Sequence, residues 1–320
     1  MPLITKENCS YLSVNGRART ASGPRPDVFV VGAAKCGTTS LHRLFELTPG
    51  IGTARTRKEL HFFSAPELLA AVAGPGDERV PAGLVRDEAE YLAEFAHLDP
   101  GLPVIADVSP SYLQNPPAAA RIHAFAPEAR IVILLRDPAA KVFSQYLHLW
   151  GEERETLPFE AAYAASAVRR AAGFSDMFDY AAGGFYAEAV GRYLDLFGPD
   201  RVCVLLFEEL TAAPAAALAR LGAFLGVELP RGPLPRLNAG GRVRSPMLAA
   251  LIGNEALRAG LRAVLPLKLR TRLSERVSRA VPTERPALAP AMRARLAARF
   301  APDVAALEAL IGRPTGWPPA

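Results

Sequence analysis

One short stretch gathers a lysine, two glycines and three hydroxyl residues, Gly32-Ala-Ala-Lys35-Cys36-Gly37-Thr38-Thr39-Ser40. Those residue types suit an anion. Lysine is a point charge, and glycine lets the backbone close around a ligand. Hydroxyls and first-turn N–H groups donate where the helix dipole favours negative charge. The spacing is not that of a Walker A loop, which needs its lysine directly after the second glycine; Thr38 stands there, and Lys35 precedes Gly37. A second cluster is Lys58-Glu59-Leu60-His61-Phe62-Phe63. Its carboxylate or imidazole could take a proton from an attacking hydroxyl, and the aromatic pair is expected to exclude water and raise the proton affinity of Glu59. In the third, Arg136-Asp137-Pro138 is followed by Lys141 and Ser144, and a guanidinium fork plus a hydroxyl suits a doubly charged phosphate.

These groups can meet only if the elements between them deliver each to one edge of a sheet. Val28-Phe29-Val30-Val31 reads as a strand covered on both faces. A short helix with Leu41, Leu44 and Phe45 on its apolar face follows, ended by Pro49-Gly50. Val104 to Asp107 reads as a second strand entering the turn Ser109-Pro110-Ser111-Tyr112, and Arg130 to Leu135 as a third, with Pro138 placed for the first turn of the next helix. Asp200 to Phe207 reads as a fourth strand. Helices are expected over about 65–73, 87–96, 159–172, after Tyr186, and over 291–311. The alternation predicts an α/β fold: a P-loop-type parallel sheet with helices on both faces, a single domain with a helical C-terminal extension.

In their order and spacing, the three clusters resemble sulfotransferases that use 3′-phosphoadenosine 5′-phosphosulfate (PAPS), in a bacterial branch similar to the heparan-sulfate-type enzymes with their KExxFF segment. The resemblance implies that Lys35 contacts the oxygen bridging sulfate and phosphate, within a cradle of Lys35, Cys36, Gly37, Thr38, Thr39 and Ser40. It assigns the 3′-phosphate to Arg136 and Ser144, with Lys141 at a second basic position. Gly241 and Arg242, in the loop Asn238 to Ser245, would close over the adenosine, with Arg242 or Arg244 adding charge. Glu59 takes the position of the general base, and His61 is its competitor. Asp107 stands at an acidic family position, but Val108 replaces the lysine beside it in the animal enzymes. Asp107 is therefore left between a catalytic carboxylate, a group orienting Lys35 or the substrate, and a cap. The implied reaction moves a sulfuryl group from PAPS to a hydroxyl and releases 3′,5′-ADP without a metal. A P-loop nucleotide kinase would need a lysine after Gly37 and magnesium. A non-catalytic nucleotide or polyanion binder would keep the basic clusters but need no base at Glu59.

Composition sets the remaining bounds. The chain has 320 residues, half of them hydrophobic, enough for one large core. A net charge of +5 suits an anionic ligand and is too mild to indicate nucleic acid. Only five of its 37 basic residues are lysines, and three of those five, Lys35, Lys58 and Lys141, lie in the clusters above. The three cysteines are widely spaced and the five histidines show no metal-ligand spacing, so neither disulfides nor a metal is expected. No apolar run nears the roughly 20 residues that span a bilayer, and residues 1–26 lack a signal-peptide core. The expectations are a flexible arm over 1–26, a sulfotransferase domain over 27–320 and a cytoplasmic location. The acceptor is expected to be a small metabolite or glycoside in bacterial natural-product biosynthesis, and monomer and homodimer stay open. The basic stretch from Glu255 to Arg299 reads as a solvated helical face.

Overall fold

The computed structural model describes residues 23–230, 232 and 285–318, together with the backbone of the two-residue strands Tyr11–Leu12, Ala18–Arg19, Arg242–Val243 and Thr283–Glu284. Five parallel strands form the central sheet: β1 (Val28–Gly32), β2 (Ile51–Thr53), β3 (Val104–Val108), β4 (Arg130–Leu135) and β5 (Val202–Leu206), in the spatial order β2-β3-β1-β4-β5. Every residue of β1 is buried, so both faces of this central strand are covered, as its uninterrupted apolar run demands. From β1 the chain runs outward past β3 to β2, and from β3 it crosses back over β1 to β4. That reversal opens a crevice at the C-terminal ends of β1, β3 and β4, where ligands of open α/β sheets bind.

The register brings the first and third clusters and the Ser109–Tyr112 turn to this crevice. Val30 pairs with Val108 across β1 and β3, and with Val132 across β1 and β4. The residues after these strands therefore emerge side by side. β1 leads into helix α1 (Thr38–Leu47), and β4 into helix α2 (Pro138–Gly151), with Asp137 at its N-cap accepting from the Ala140 N–H at 3.0 Å. At the opposite edge, Arg130 pairs with Asp27 at 2.7 Å, and Asp27 accepts from the Ile105 N–H at 2.8 Å, which fixes the strand starts.

Aromatic packing holds the segment after β2 against the sheet. Phe63 meets Phe29, Tyr91, Tyr112 and Phe125 edge to face, with centroids 5.3–5.8 Å apart. Phe62 stacks on Tyr91 at 4.6 Å. Fully burying such a ring contributes about 1.5–3 kcal/mol. The segments 64–100 and 150–185 are pinned to each other by Asp77, wholly buried, which accepts from the Gly74 and Ser175 N–H groups at 2.9 Å and pairs with Arg154.

Helix α3 (Ala187–Phe197) and the long helix α4 (Pro290–Ile311) close the structure. Asp303 of α4 accepts from the Tyr186 and Ala187 N–H groups at 2.6 and 3.2 Å, capping α3 from outside its own segment. The expected helical C-terminal extension is thus present, and it is tied to the sheet's helices. The expected helix over 159–172 is instead two short ones, Phe159–Ala164 and Ser166–Ala171. Cys203 is buried in packing as expected, its thiol pushed up to about 11 by burial. Most of the N-terminal arm lies outside the described residues; Arg25 at its end stacks 4.3 Å from the Phe125 centroid. Among the described residues no helix is long and apolar enough to cross a membrane.

Candidate active site

The anion loop owes its shape to two glycines and one strained lysine. A Cβ on Gly32 would lie 2.5 Å from Leu113 Cβ, so only glycine lets β1 end against the Ser109–Leu113 turn. Gly37 has φ 96 and sits where a Cβ would meet the Phe207 ring at 3.0 Å. Between them Lys35 itself adopts φ 67, a left-handed conformation that costs a side-chain-bearing residue of the order of 1–3 kcal/mol unless its surroundings hold it. One such hold is the Ala33 N–H, which donates to the Leu134 carbonyl at 2.6 Å. Helix α1 starts with no side-chain cap and no acidic residue in its first turn. Its first helical bond runs from the Leu41 N–H to the Gly37 carbonyl at 3.0 Å, so the N–H groups of Thr38 and Thr39 have no acceptor within the helix. Cys36 turns inward, its Sγ 3.9 Å from the Tyr186 hydroxyl and its thiol pushed up to about 11 by burial. Only its backbone belongs to the loop surface.

The second cluster is joined directly to this loop. Lys58 Nζ donates to Thr39 Oγ1 at 3.0 Å, lies 3.5 Å from Thr38 Oγ1, and pairs with Glu59 Oε1 at 2.5 Å. On the other carboxylate oxygen, Glu59 Oε2 faces His61 Nε2 at 3.3 Å. Burial by itself would raise the Glu59 pKa. The hydrogen bond from His61 and the charges of Lys58 and His61 outweigh it and hold the carboxyl down at about 2. The expectation that the aromatic pair raises this proton affinity is therefore wrong. Phe62 and Phe63 face Tyr91 and the core, and the contacts with His61 and Lys58 together outweigh desolvation.

Asp107 does not orient Lys35. It is 1% exposed and accepts from Ser109 Oγ at 2.6 Å and from the Tyr112 and Tyr91 hydroxyls at 2.8 and 2.9 Å. Burial raises its pKa against the pull of those three donors. Ser109 Oγ in turn accepts from the Leu60 and His61 N–H groups at 3.1 and 3.3 Å. Upstream, the Thr56 N–H donates to buried Glu94 at 2.8 Å. The turn carrying Glu59 is thus held on both sides.

On the β4 side, the Arg136 guanidinium lies over the Phe207 ring at 4.7 Å and 3.5 Å from the Lys35 carbonyl. Asp137 is not its partner, since it caps α2 and pairs with Arg293 at 2.7 Å. Among the described residues no carboxylate pairs with Arg136. Ser144 follows two turns into α2, half-buried. Lys141, matched by resemblance to a second basic position, is buried within the fold and engaged by its own helix. It is 2% exposed and donates to Gln145 Oε1 at 2.7 Å, with burial lowering its pKa. Gly241 lies outside the described residues, as does Arg244. Arg242 is described only as backbone, paired with Glu284.

Sequence reasoning passed over three groups. Lys58 was noted in the cluster but not as a contact of the loop hydroxyls. His148 and Glu152, paired at 3.4 Å, continue the face of α2 that starts at Lys141 and Gln145, a spacing readable from the sequence. They face Lys35: burial followed by the charge of Lys35 lowers the His148 pKa, while burial lowers that of Lys35 against the pull of Glu152 and Glu59. Ser109 and Ser111, flanking Pro110, complete the set.

The described donors suit an anion with two phosphate centres. Lys58 and two threonine hydroxyls meet at the loop, beside Lys35 and the first N–H groups of α1, and the Arg136 guanidinium lies against the Lys35 carbonyl. A model of the Sulfotransferase family matches residues 26–231. The chain belongs to that family. Among curated sulfotransferases, human heparan sulfate glucosamine 3-O-sulfotransferase 6 is 26% identical over 65% of this chain, and the bifunctional heparan sulfate N-deacetylase/N-sulfotransferase 1 of Caenorhabditis briggsae is 24% identical over 65%. The matches span 55% and 23% of those relatives' own lengths. A sulfotransferase crystal structure from Alicyclobacillus acidocaldarius aligns with a TM-score of 0.70 at 35% identity, covering 90% of this chain and 96% of that one.

Proposed function

We propose that this sulfotransferase moves a sulfuryl group from PAPS to a hydroxyl of a small metabolite or glycoside, releasing 3′,5′-ADP. The observation that carries the reading is the position of Lys58, hydrogen-bonded at once to the anion loop through Thr39 and to the carboxylate of Glu59. It joins a donor site to a base. When bound, PAPS supplies an electrophilic sulfur and a phosphate leaving group. Lys35, Lys58, Thr38, Thr39 and the first N–H groups of α1 hold the negative charge that develops on the leaving side. Arg136 and Ser144 hold the 3′-phosphate.

Glu59 takes the proton of the acceptor hydroxyl. A carboxyl held at about 2 is ionised but weakly basic, so Lys58 matters twice. An anion in the loop competes for the Lys58 ammonium, weakens its grip on Glu59 and raises the carboxylate's basicity when the donor is in place. His61, on the other Glu59 oxygen, stabilises the carboxylate before the proton arrives. The experiment is incubation of the purified protein with [35S]PAPS and a panel of neutral glycosides and phenols, following label in the acceptor fraction. Label transfer that fails in Lys35→Ala supports the reading. Tight 3′,5′-ADP binding with neither transfer nor hydrolysis of PAPS would favour a non-catalytic binder.

A further inference from the structure

We infer that Ser109 and Ser111 are positioning residues that set the Glu59–His61 pair, one through the backbone and the other through the imidazole. The inference rests on the proposed role of that pair. Its first half is the chain Asp107–Ser109–Leu60/His61. The Ser109 O–H donates to the Asp107 carboxylate at 2.6 Å, which leaves the Ser109 lone pairs for the Leu60 and His61 N–H groups at 3.1 and 3.3 Å. Those N–H groups belong to a turn in which His61 has φ 55, a left-handed conformation that a β-carbon-bearing residue holds only under constraint. A buried carboxylate thus fixes, through one hydroxyl, the backbone on which both candidate bases are mounted. Tyr91 and Tyr112 take up the other Asp107 oxygen and leave it no freedom to turn.

The second half is a ring of contacts around the imidazole. His61 Nδ1 lies 2.7 Å from Ser111 Oγ, which lies 2.8 Å from Ser64 Oγ, which lies 3.2 Å from the His61 carbonyl. Two hydroxyl protons serve these contacts. With Ser64 donating to the carbonyl, Ser111 donates to Ser64 and accepts from Nδ1–H, so a neutral ring presents a bare Nε2 to Glu59. With Ser64 donating to Ser111, Ser111 donates to Nδ1, and Nε2–H donates to Glu59. The hydroxyl pair can therefore follow the ring through either tautomer. Only a ring carrying both protons satisfies every contact, including Nε2 to Glu59 Oε2 at 3.3 Å. Ser111 and Ser64 thereby hold the ring with Nε2 toward the carboxylate and couple the proton that Nε2 carries to the orientation of the hydroxyl pair, as the second hydrogen bond of a functional histidine does elsewhere.

The test uses the full-length protein with uniform 15N labelling. Long-range 1H–15N spectra of the five histidines, with His61 assigned from a His61→Gln variant, report the tautomer directly. Ser111→Ala is expected to move the His61 nitrogen shifts and their pH profile, with 3′,5′-ADP affinity within twofold of wild type. It is also expected to lower [35S]PAPS turnover, with water as acceptor, about tenfold. Ser111→Thr, which keeps the hydroxyl, is expected to restore both. Ser109→Ala is expected to speed amide exchange at Leu60 and His61. If Ser111→Ala folds poorly, Ser64→Ala interrupts the same ring one step further out. An unchanged His61 spectrum in the Ser111 and Ser64 variants, or unchanged turnover where His61→Gln is inactive, overturns the proposal. Full turnover in both Glu59→Gln and His61→Gln would instead refute the role given to the pair, and the spectra would still show separately whether Ser111 orients the ring.

Discussion

Replacing Arg136 by alanine should separate two nucleotides that differ by one phosphate. In the structure the guanidinium has no carboxylate partner among the described residues, and its nearest contacts are the Lys35 carbonyl at 3.5 Å and the Phe207 ring at 4.7 Å. Its charge-assisted hydrogen bonds are therefore available to a ligand, and each such bond is worth about 1.5–3 kcal/mol. Losing one corresponds to a weakening of about 10- to 150-fold for 3′,5′-ADP. The fold loses the ring contact, of the order of 0.5–1 kcal/mol, and a long hydrogen bond to the Lys35 carbonyl, and no buried anion is left behind. Asp137 keeps its helix cap and its pairing with Arg293. Calorimetric titration with 3′,5′-ADP and with 5′-AMP, alongside urea denaturation, reads all three quantities. The expected result is a large loss for 3′,5′-ADP, a change within about threefold for 5′-AMP, and near-native stability. Equal losses for both nucleotides would refute the assignment of Arg136 to the 3′-phosphate.

Lys35→Ala should lower kcat about 100-fold or more, as for other oxyanion-stabilising groups, with little change in melting temperature. Burial lowers the Lys35 pKa, so the free enzyme should lose its required proton below the ordinary lysine value of about 10.4; the alkaline limb of kcat/KM should move upward in Lys35→Arg. The Glu59 carboxyl, held at about 2 by His61 and Lys58, should titrate higher when 3′,5′-ADP occupies the loop, as read from its 13C shift with and without nucleotide. Because the folded value lies below that of an unfolded glutamate, about 4.3, ionised Glu59 stabilises the fold above that pH. The contribution fades as pH falls toward 2, and Glu59→Gln should flatten the stability profile in that window. Phe63→Ala, which removes a ring 3% exposed, should cost about 3–5 kcal/mol in urea denaturation.

Much of the architecture was legible because local signals agreed with the fold. The apolar run Val28 to Val31 suits a strand covered on both faces, and Pro138 after Asp137 suits the first turn of a helix, and the fold has both. The anion loop was legible from Gly32, Lys35 and Gly37, whose backbone angles follow from what the turn must do. What stayed hidden was the direction of side chains around the base. Phe62 and Phe63 were read as neighbours of Glu59, but in a turn with His61 at φ 55 they point to Tyr91 and the core while Lys58 swings onto the loop. The sign of the Glu59 shift depends on those contacts and cannot be taken from adjacency in sequence. From its neighbours in sequence, Asp107 stays open between a catalytic carboxylate, a group orienting Lys35 or the substrate, and a cap. Its work is one step removed, because three hydroxyls from 91, 109 and 112 close around it only in the folded chain.

The central claim is that a donor site and a base act together on one sulfuryl group, and the most direct measurement is single-turnover release of 3′,5′-ADP from PAPS in wild type and Glu59→Gln. Acceptor is supplied from the glycoside and phenol panel, and 3′,5′-ADP affinity is measured on the same samples. The account predicts near wild-type nucleotide affinity and a fall in turnover of about 100-fold or more, the range for loss of a positioned general base. Full activity in Glu59→Gln with an inactive His61→Ala would transfer the base role to the histidine. Wild-type protein that binds 3′,5′-ADP but never forms it from PAPS would contradict the account.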